Sequence, residues 1–470
     1  MPAPCLALQI DPLGIMAISV VAIVAAIAVL RIHAFFALMI GAALVAVLAA
    51  AGHSGPDRFA AAVEAAAGSF GDTAGKIGLP IALAAVIGIS LMESGSADKI
   101  VRRMIALFGE GRSAYALAFS GFLLAAPVFI DTVFMLLLPI AKALGVRTGR
   151  NYLLYVLAVC AGGVITSGLV PPAPGPLLVA ESLKLNLGVA IMAGAALGIL
   201  PVLGGLACAR FFNRRMPIEP RATPGASLES LAQVAARPES ELPGLGLAIA
   251  PVLLPFTLIS AASILTLANA ADVAPHLRML IGFLGDKNIA LLLGAAVAVA
   301  VHARQKRVAW RQAGKLLGPP LETAAMIILI VSAGGAYGEM IKRAGLGASV
   351  RDLAGGHAIN YVLLGWTLSA VMRAAQGSAT VAMVTAVGIV ASVAGPAGFG
   401  VSPIYVLAAI GFGSKFLSWM NDAGFWVISR VSGLTQGEAL RSWTIMSSIM
   451  GVLGLIEVLI VSALWPHPPI

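Results

Sequence analysis

The chain has 470 residues, of which 59% are hydrophobic and only 11% charged, a balance that excludes a soluble globular domain and fits a protein solvated by lipid. Its net charge of +9 is carried by short Lys/Arg clusters between apolar runs, the pattern of cytoplasmic loops, so neither a nucleic-acid partner nor a basic binding face is expected. Cys5, Cys160 and Cys208 show no metal or disulfide spacing, and no HExxH, GxSxG or Cys/His cluster occurs, so no catalytic residue, metal ligand or organic cofactor is expected.

Uncharged runs long enough to cross about 30 Å of hydrocarbon begin with Pro12 to Leu30 and Ala34 to Gly52. The first has no positive segment before it and no cleavage site after it, and it reads as a retained helix. Further runs cover Asn151 to Ala180, Leu185 to Ala209 and Leu242 to Ala271. Basic clusters at Arg31, Lys99/Arg102/Arg103, Lys142/Arg147/Arg150, Arg210/Arg214/Arg215, Arg304/Lys306/Arg307/Arg311 and Arg430/Arg441 mark the inner face and place both termini outside. The loop with Lys342, Arg343 and Arg351 is the exception.

Residues 113–146 are long enough for two short helices, yet basic loops flank them on both sides. They are therefore expected to enter and leave on one face as a re-entrant hairpin, with residues 357–395 doing the same from the other side. Residues 213–243 are polar and proline-rich, a cytoplasmic linker between a first unit, 1–212, and a second, 244–470. The units share an order of motifs: "AGKIGLP" at Ala74 returns as "AGKLLGPP" at Ala313, and "DTVFML" at Asp131 as "ATVAMV" at Ala379. Each unit then holds an interrupted helix, at 151–182 and 401–429. With about five crossings each, the second unit is inverted relative to the first, which predicts an all-α polytopic membrane protein of about ten crossings, two hairpins and two broken helices.

The stretch "GLVPPAPGP", Gly168 to Pro176, cannot continue a helix, because proline lacks the N–H and clashes with the preceding turn. Lipid satisfies no freed backbone group, so a break at this depth faces protein or a watery cavity, and helix N-termini there favour an anion. A kink that serves only packing is the alternative. Thr166, Ser167, Gly168, Pro171 and Pro172 are the candidate substrate contacts at the first break. In the second unit Gln376, Gly377, Ser378 and Thr380 form a small, polar hairpin tip suited to sugar hydroxyls, and Asn421 marks the second break. Arg373 and Lys415 are cations between apolar runs, each able to hold a carboxylate. Snorkelling of Arg373 and pairing of Lys415 with Asp422 are the other readings. Asp131 and Asp422 are the candidate proton-coupling carboxylates, or else helix caps.

"PVFIDTVFMLLLP" (Pro127 to Pro139), "GLVPPAPGP", "QGSATVAMVTAVGI" (Gln376 to Ile389) and "NDAGFW" (Asn421 to Trp426) resemble, in order, the signature segments of the gluconate permease family of proton symporters, in the ion transporter superfamily. The resemblance implies a homodimer in the inner (plasma) membrane and an elevator in which hairpin tips and broken helices enclose a small carboxylate. It also implies proton coupling, with sodium as the alternative ion. Family members usually carry His where this chain has Ser167, Ala173 and Trp419. The same scaffold carrying glycerate, D-serine or another aldonate is therefore the competing expectation, with a channel as a further one.

Overall fold

The computed structural model describes residues 11–51, 57–127, 130–221, 238–267, 274–346, 348–349, 359–395 and 398–468, without the side chains at 28, 110, 131, 267, 310, 311 and 313. Most of the α-helices named below follow from an apolar run ended by glycine, proline or a charged loop. The first unit holds α1 (Pro12–Ala28), α2 (Ala34–Ala50), α3 (Arg58–Glu93), α4 (Ser96–Phe108), α5 (Ser113–Leu124), α6 (Ile130–Thr148), α7 (Tyr152–Leu169), α8 (Pro174–Ser182), α9 (Leu187–Leu197) and α10 (Ile199–Arg215). The second holds α11 (Leu245–Leu267), α12 (Pro275–Leu284), α13 (Lys287–Gln305), α14 (Gly318–Arg343), α15 (Tyr361–Gln376), α16 (Ala379–Ala394), α17 (Pro403–Gly413), α18 (Ala423–Ser432) and α19 (Gln436–Leu464).

Seven helical stretches among the described residues are long and apolar enough to cross a membrane, and five apolar helices are shorter. The chain is therefore an all-helical, multi-pass membrane protein. At 36 residues, α3 rises about 54 Å, more than the hydrocarbon thickness. α4 has a buried and an exposed face: Asp98, Ile100, Val101 and Met104 are buried while Arg103, Leu107 and Phe108 are exposed. The polar linker is pinned at both described ends. Arg221 forks onto the Glu438 carboxylate with two bonds of 2.8 Å, and Glu239 pairs with Lys99 of α4 at 2.6 Å; residues 222–237 lie outside the described set.

α3 packs along α14, and this pair is flanked by α2 and α13. α7 packs against α5, α6 and α10, while α17 packs against α15 and α19. The α5–α7 crossing is backbone to backbone, since a Cβ on Gly162 would lie 1.8 Å from the Ala118 carbonyl oxygen, the close approach that small residues permit in membranes. α8 and α16 sit where these groups meet, touching each other, and α8 also reaches α3, α14 and α17.

Candidate functional site

The first break spans Val170 to Ala173, between α7 and α8. It holds a cis peptide bond between Pro171 and Pro172. Its few N–H groups are spent locally, Val170 on the Thr166 carbonyl at 2.9 Å and Ala173 on the Val170 carbonyl at 3.3 Å. α8 then starts with Pro174 at its first turn and has no side-chain cap. The second break, residues 414–422 between α17 and α18, contains no proline. Its backbone groups are met by side chains from α19: Ser448 Oγ accepts from the Leu417 N–H at 3.1 Å, and Thr444 Oγ1 donates to the Ser418 carbonyl at 2.6 Å. Asp422 caps α18 by accepting from the Gly424 N–H at 2.9 Å.

The α15–α16 turn closes against this second break. Gly377 has φ +78°, and a Cβ there would lie 2.1 Å from the Asn421 carbonyl oxygen, so only glycine allows the contact. Asn421 Nδ2 and Trp419 Nε1 both donate to the Ala374 carbonyl, at 2.8 and 3.1 Å. Arg373 donates to the Gly377 carbonyl and forms an ion pair with Asp422, which also accepts from Ser418 Oγ. Ser418 Oγ in turn accepts from Trp443 Nε1 at 3.0 Å. One chain of contacts thus runs from α19 through the second break to the tip of the α15–α16 hairpin.

These elements surround a cavity of about 560 Å³, within the range that holds a small-molecule ligand. Ser167, Pro172, Gln376, Gly377, Ser378 and Thr380 line it, as do Arg373, Lys415, Asn421 and Asp422. α3 and α14 supply an apolar wall through Ile81, Ala84 and Ile327. The first turns of α6, α8, α16 and α18 all reach the lining, at Ile130, Pro174, Ala379 and Ala423, so four helix N-termini, which carry partial positive charge, border one space.

The polar groups here are withdrawn from bulk water: Lys415 is 4% exposed, Gln376 5%, Arg373 6% and Asp422 7%. Gln376 leaves both amide atoms buried without a hydrogen-bond partner, and Arg373 leaves its Nε so. The Lys415 ammonium has no hydrogen-bond or ion-pair partner among the described residues. A buried cation and a buried amide without partners are costly, and a ligand that pairs with both relieves the cost.

Some expectations change at this level. Asp422 forms its ion pair with Arg373, 49 positions away, while Lys415, in the same lining, makes no direct ion pair with it. Arg373 does not snorkel, since the Asp422 ion pair holds it inside. Thr166, Gly168 and Pro171 sit behind the lining. Thr166 is buried and donates to the Gly162 carbonyl at 3.2 Å, and Gly168 serves the site indirectly: a Cβ on it would lie 2.6 Å from Lys415 Nζ. The α6 helix begins at Ile130, which puts Asp131 in its first turn, while the Asp131 side chain lies outside the described residues. His357 and Arg351 lie outside them too. Ser418 and Trp443 line the cavity without having been singled out in the sequence. Ser418, four residues before Asp422 in "LSWMNDAGF", had a detectable signal in that spacing; Trp443, from the next helix, had none.

A cavity where two interrupted helices meet, inside an apolar helical body, defines a membrane transporter. The GntP family permease profile matches residues 12–464, and the chain belongs to that family, whose members are inner-membrane permeases and not enzymes. It is 31% identical over 448 residues to a gluconate permease of Pseudomonas aeruginosa, covering 95% of this chain and 96% of that one. It is 29% identical to the Gnt-II system L-idonate transporter of Escherichia coli K12, covering 84% and 87%. The crystal structure of the Alcanivorax borkumensis YdaH transporter shares the fold, with a TM-score of 0.64 and 17% identity over 92% of this chain and 99% of that one.

Proposed function

We propose that the chain is a secondary active transporter that imports gluconate, or a closely related small hydroxylated monocarboxylate, by proton symport. One observation carries the reading: the lining of the cavity at the two breaks includes both an unpartnered, buried Lys415 ammonium and the unpartnered Gln376 amide. The ammonium and the four helix N-termini suit a carboxylate. Gln376, Ser378, Thr380 and Asn421 offer donors and acceptors for hydroxyls along the rest of a sugar-acid chain. The relatives named for gluconate and L-idonate act on six-carbon aldonates, and Ser167 and Ala173, both in the lining, leave room where family members usually carry imidazoles.

The seven long stretches, together with α1, α2 and the interrupted α17–α18, would give ten crossings. α5–α6 and α15–α16 would then be re-entrant hairpins in two inverted units, which move as an elevator against a scaffold that includes α3 and α14, in a homodimer. The proton would ride on one of two acids, Asp131 or Asp422. Protonation of Asp422 releases Arg373 from its ion pair and makes the cavity more positive, so proton and anion each tighten the other's binding. Purified protein in proteoliposomes tests this: uptake of labelled gluconate should rise with an inward proton gradient and not with an inward sodium gradient. Uptake that ignores both pH and membrane potential would defeat the coupling, and single Asp131→Asn and Asp422→Asn exchanges assign the acid.

A further inference from the structure

Two buried cations, Arg373 and Lys415, face one cavity, but they are not equivalent. Arg373 is matched within the protein: Asp422 takes one arm of its guanidinium and the Gly377 carbonyl the other. Asp422 is itself fixed from three sides, by Arg373, by Ser418 Oγ and by the Gly424 N–H. Ser418 is in turn held by Trp443 Nε1. The carboxylate is thus anchored to α15, to the break, to α18 and, through Ser418, to α19, while it still lines the cavity. Lys415, in contrast, has neither a hydrogen-bond nor an ion-pair partner among the described residues.

Resting on the transporter reading above with Asp131 as the acid that carries the proton, we propose that Asp422 is a built-in counter-anion: it occupies the place of a second substrate carboxylate and sets the site for monoanionic over dianionic sugar acids. A monocarboxylate meets Lys415 and finds hydroxyl partners elsewhere. A diacid of the same length brings a second carboxylate to a region whose cation is already taken. It meets Asp422 at close range in a space poor in water, where like charges repel strongly. Selectivity by charge count then comes from a residue that need not touch the preferred substrate's carboxylate. The unpartnered Arg373 Nε is the donor a second carboxylate would gain if the Asp422 charge were removed.

Equilibrium competition on the full-length protein in nanodiscs tests this, with labelled D-gluconate displaced by unlabelled D-gluconate or D-glucarate, the six-carbon diacid. Wild type should bind glucarate at least about tenfold more weakly than gluconate. Asp422→Asn should move that ratio by about tenfold or more towards the diacid. Because a lone buried guanidinium can prevent folding, the Arg373→Gln/Asp422→Asn double exchange is the second arm; with Lys415 the remaining cation, it should keep the monoacid preference. The inference is overturned by a folded Asp422→Asn protein that retains the wild-type ratio, by a double variant that takes both acids equally, or by a wild type that does not discriminate. A folded wild type that binds neither acid instead defeats the transporter reading on which the inference rests.

Discussion

The two interrupted helices solve the same physical problem in opposite ways. At the first break the chain removes donors: Pro171, Pro172, Pro174 and Pro176 have no N–H, so little is left to satisfy, and the remaining bonds close within a few residues. The second break keeps its donors and acceptors and imports partners for them from two other helices, through Ser448, Thr444 and Trp443 of α19 and Arg373 of α15. The first is therefore a rigid shelf of low chemical content, and the second is a polar hub whose geometry depends on distant side chains. A site built from one of each combines a wall poor in polar groups with a wall rich in them.

Substitutions that remove partners should therefore hurt the second break far more than the first. The largest effect is expected for Arg373→Ala, which strands Asp422 in a buried setting and should cost about 3–5 kcal/mol, read as a lowered thermal denaturation midpoint in detergent. Ser418→Ala removes one hydroxyl that links Trp443 to Asp422 and should cost about 1–3 kcal/mol by leaving the indole N–H unpaired, measured the same way. The smallest is Pro174→Ala, at the start of α8 just after the first break. It acts mainly through the entropy of the unfolded chain, about 0.4–1 kcal/mol, because a first-turn N–H has no intrahelical partner to lose. Equal losses at Ser418 and Pro174 would erase the distinction between the two breaks.

Much of this architecture was legible in the sequence because breaks in lipid need conspicuous residues. Four prolines in nine positions, and Asn421–Asp422 in an apolar setting, are what mark the interruptions between α7 and α8 and between α17 and α18. Which neighbour faces the cavity was not legible. Ser167 lines it while Thr166 bonds back to Gly162, and Pro172 lines it while Pro171 does not, since the exact rotation of a helix near its end depends on packing. Nor was the ion pairing: Arg373 and Asp422 meet only because Gly377 lets the hairpin tip touch the break. The apolar wall of Ile81 and Ile327 carried no signal, as such residues look the same facing lipid, protein or substrate.

The central claim is that Lys415 is the cation that receives the substrate carboxylate. Equilibrium binding of labelled gluconate to folded wild type and to Lys415→Met, with folding checked by thermal denaturation, tests it most directly. The account predicts saturable binding to wild type and its loss in a variant that is as stable or more so, because an unpaired buried charge has been removed. Undiminished gluconate binding by the Lys415→Met protein would contradict it.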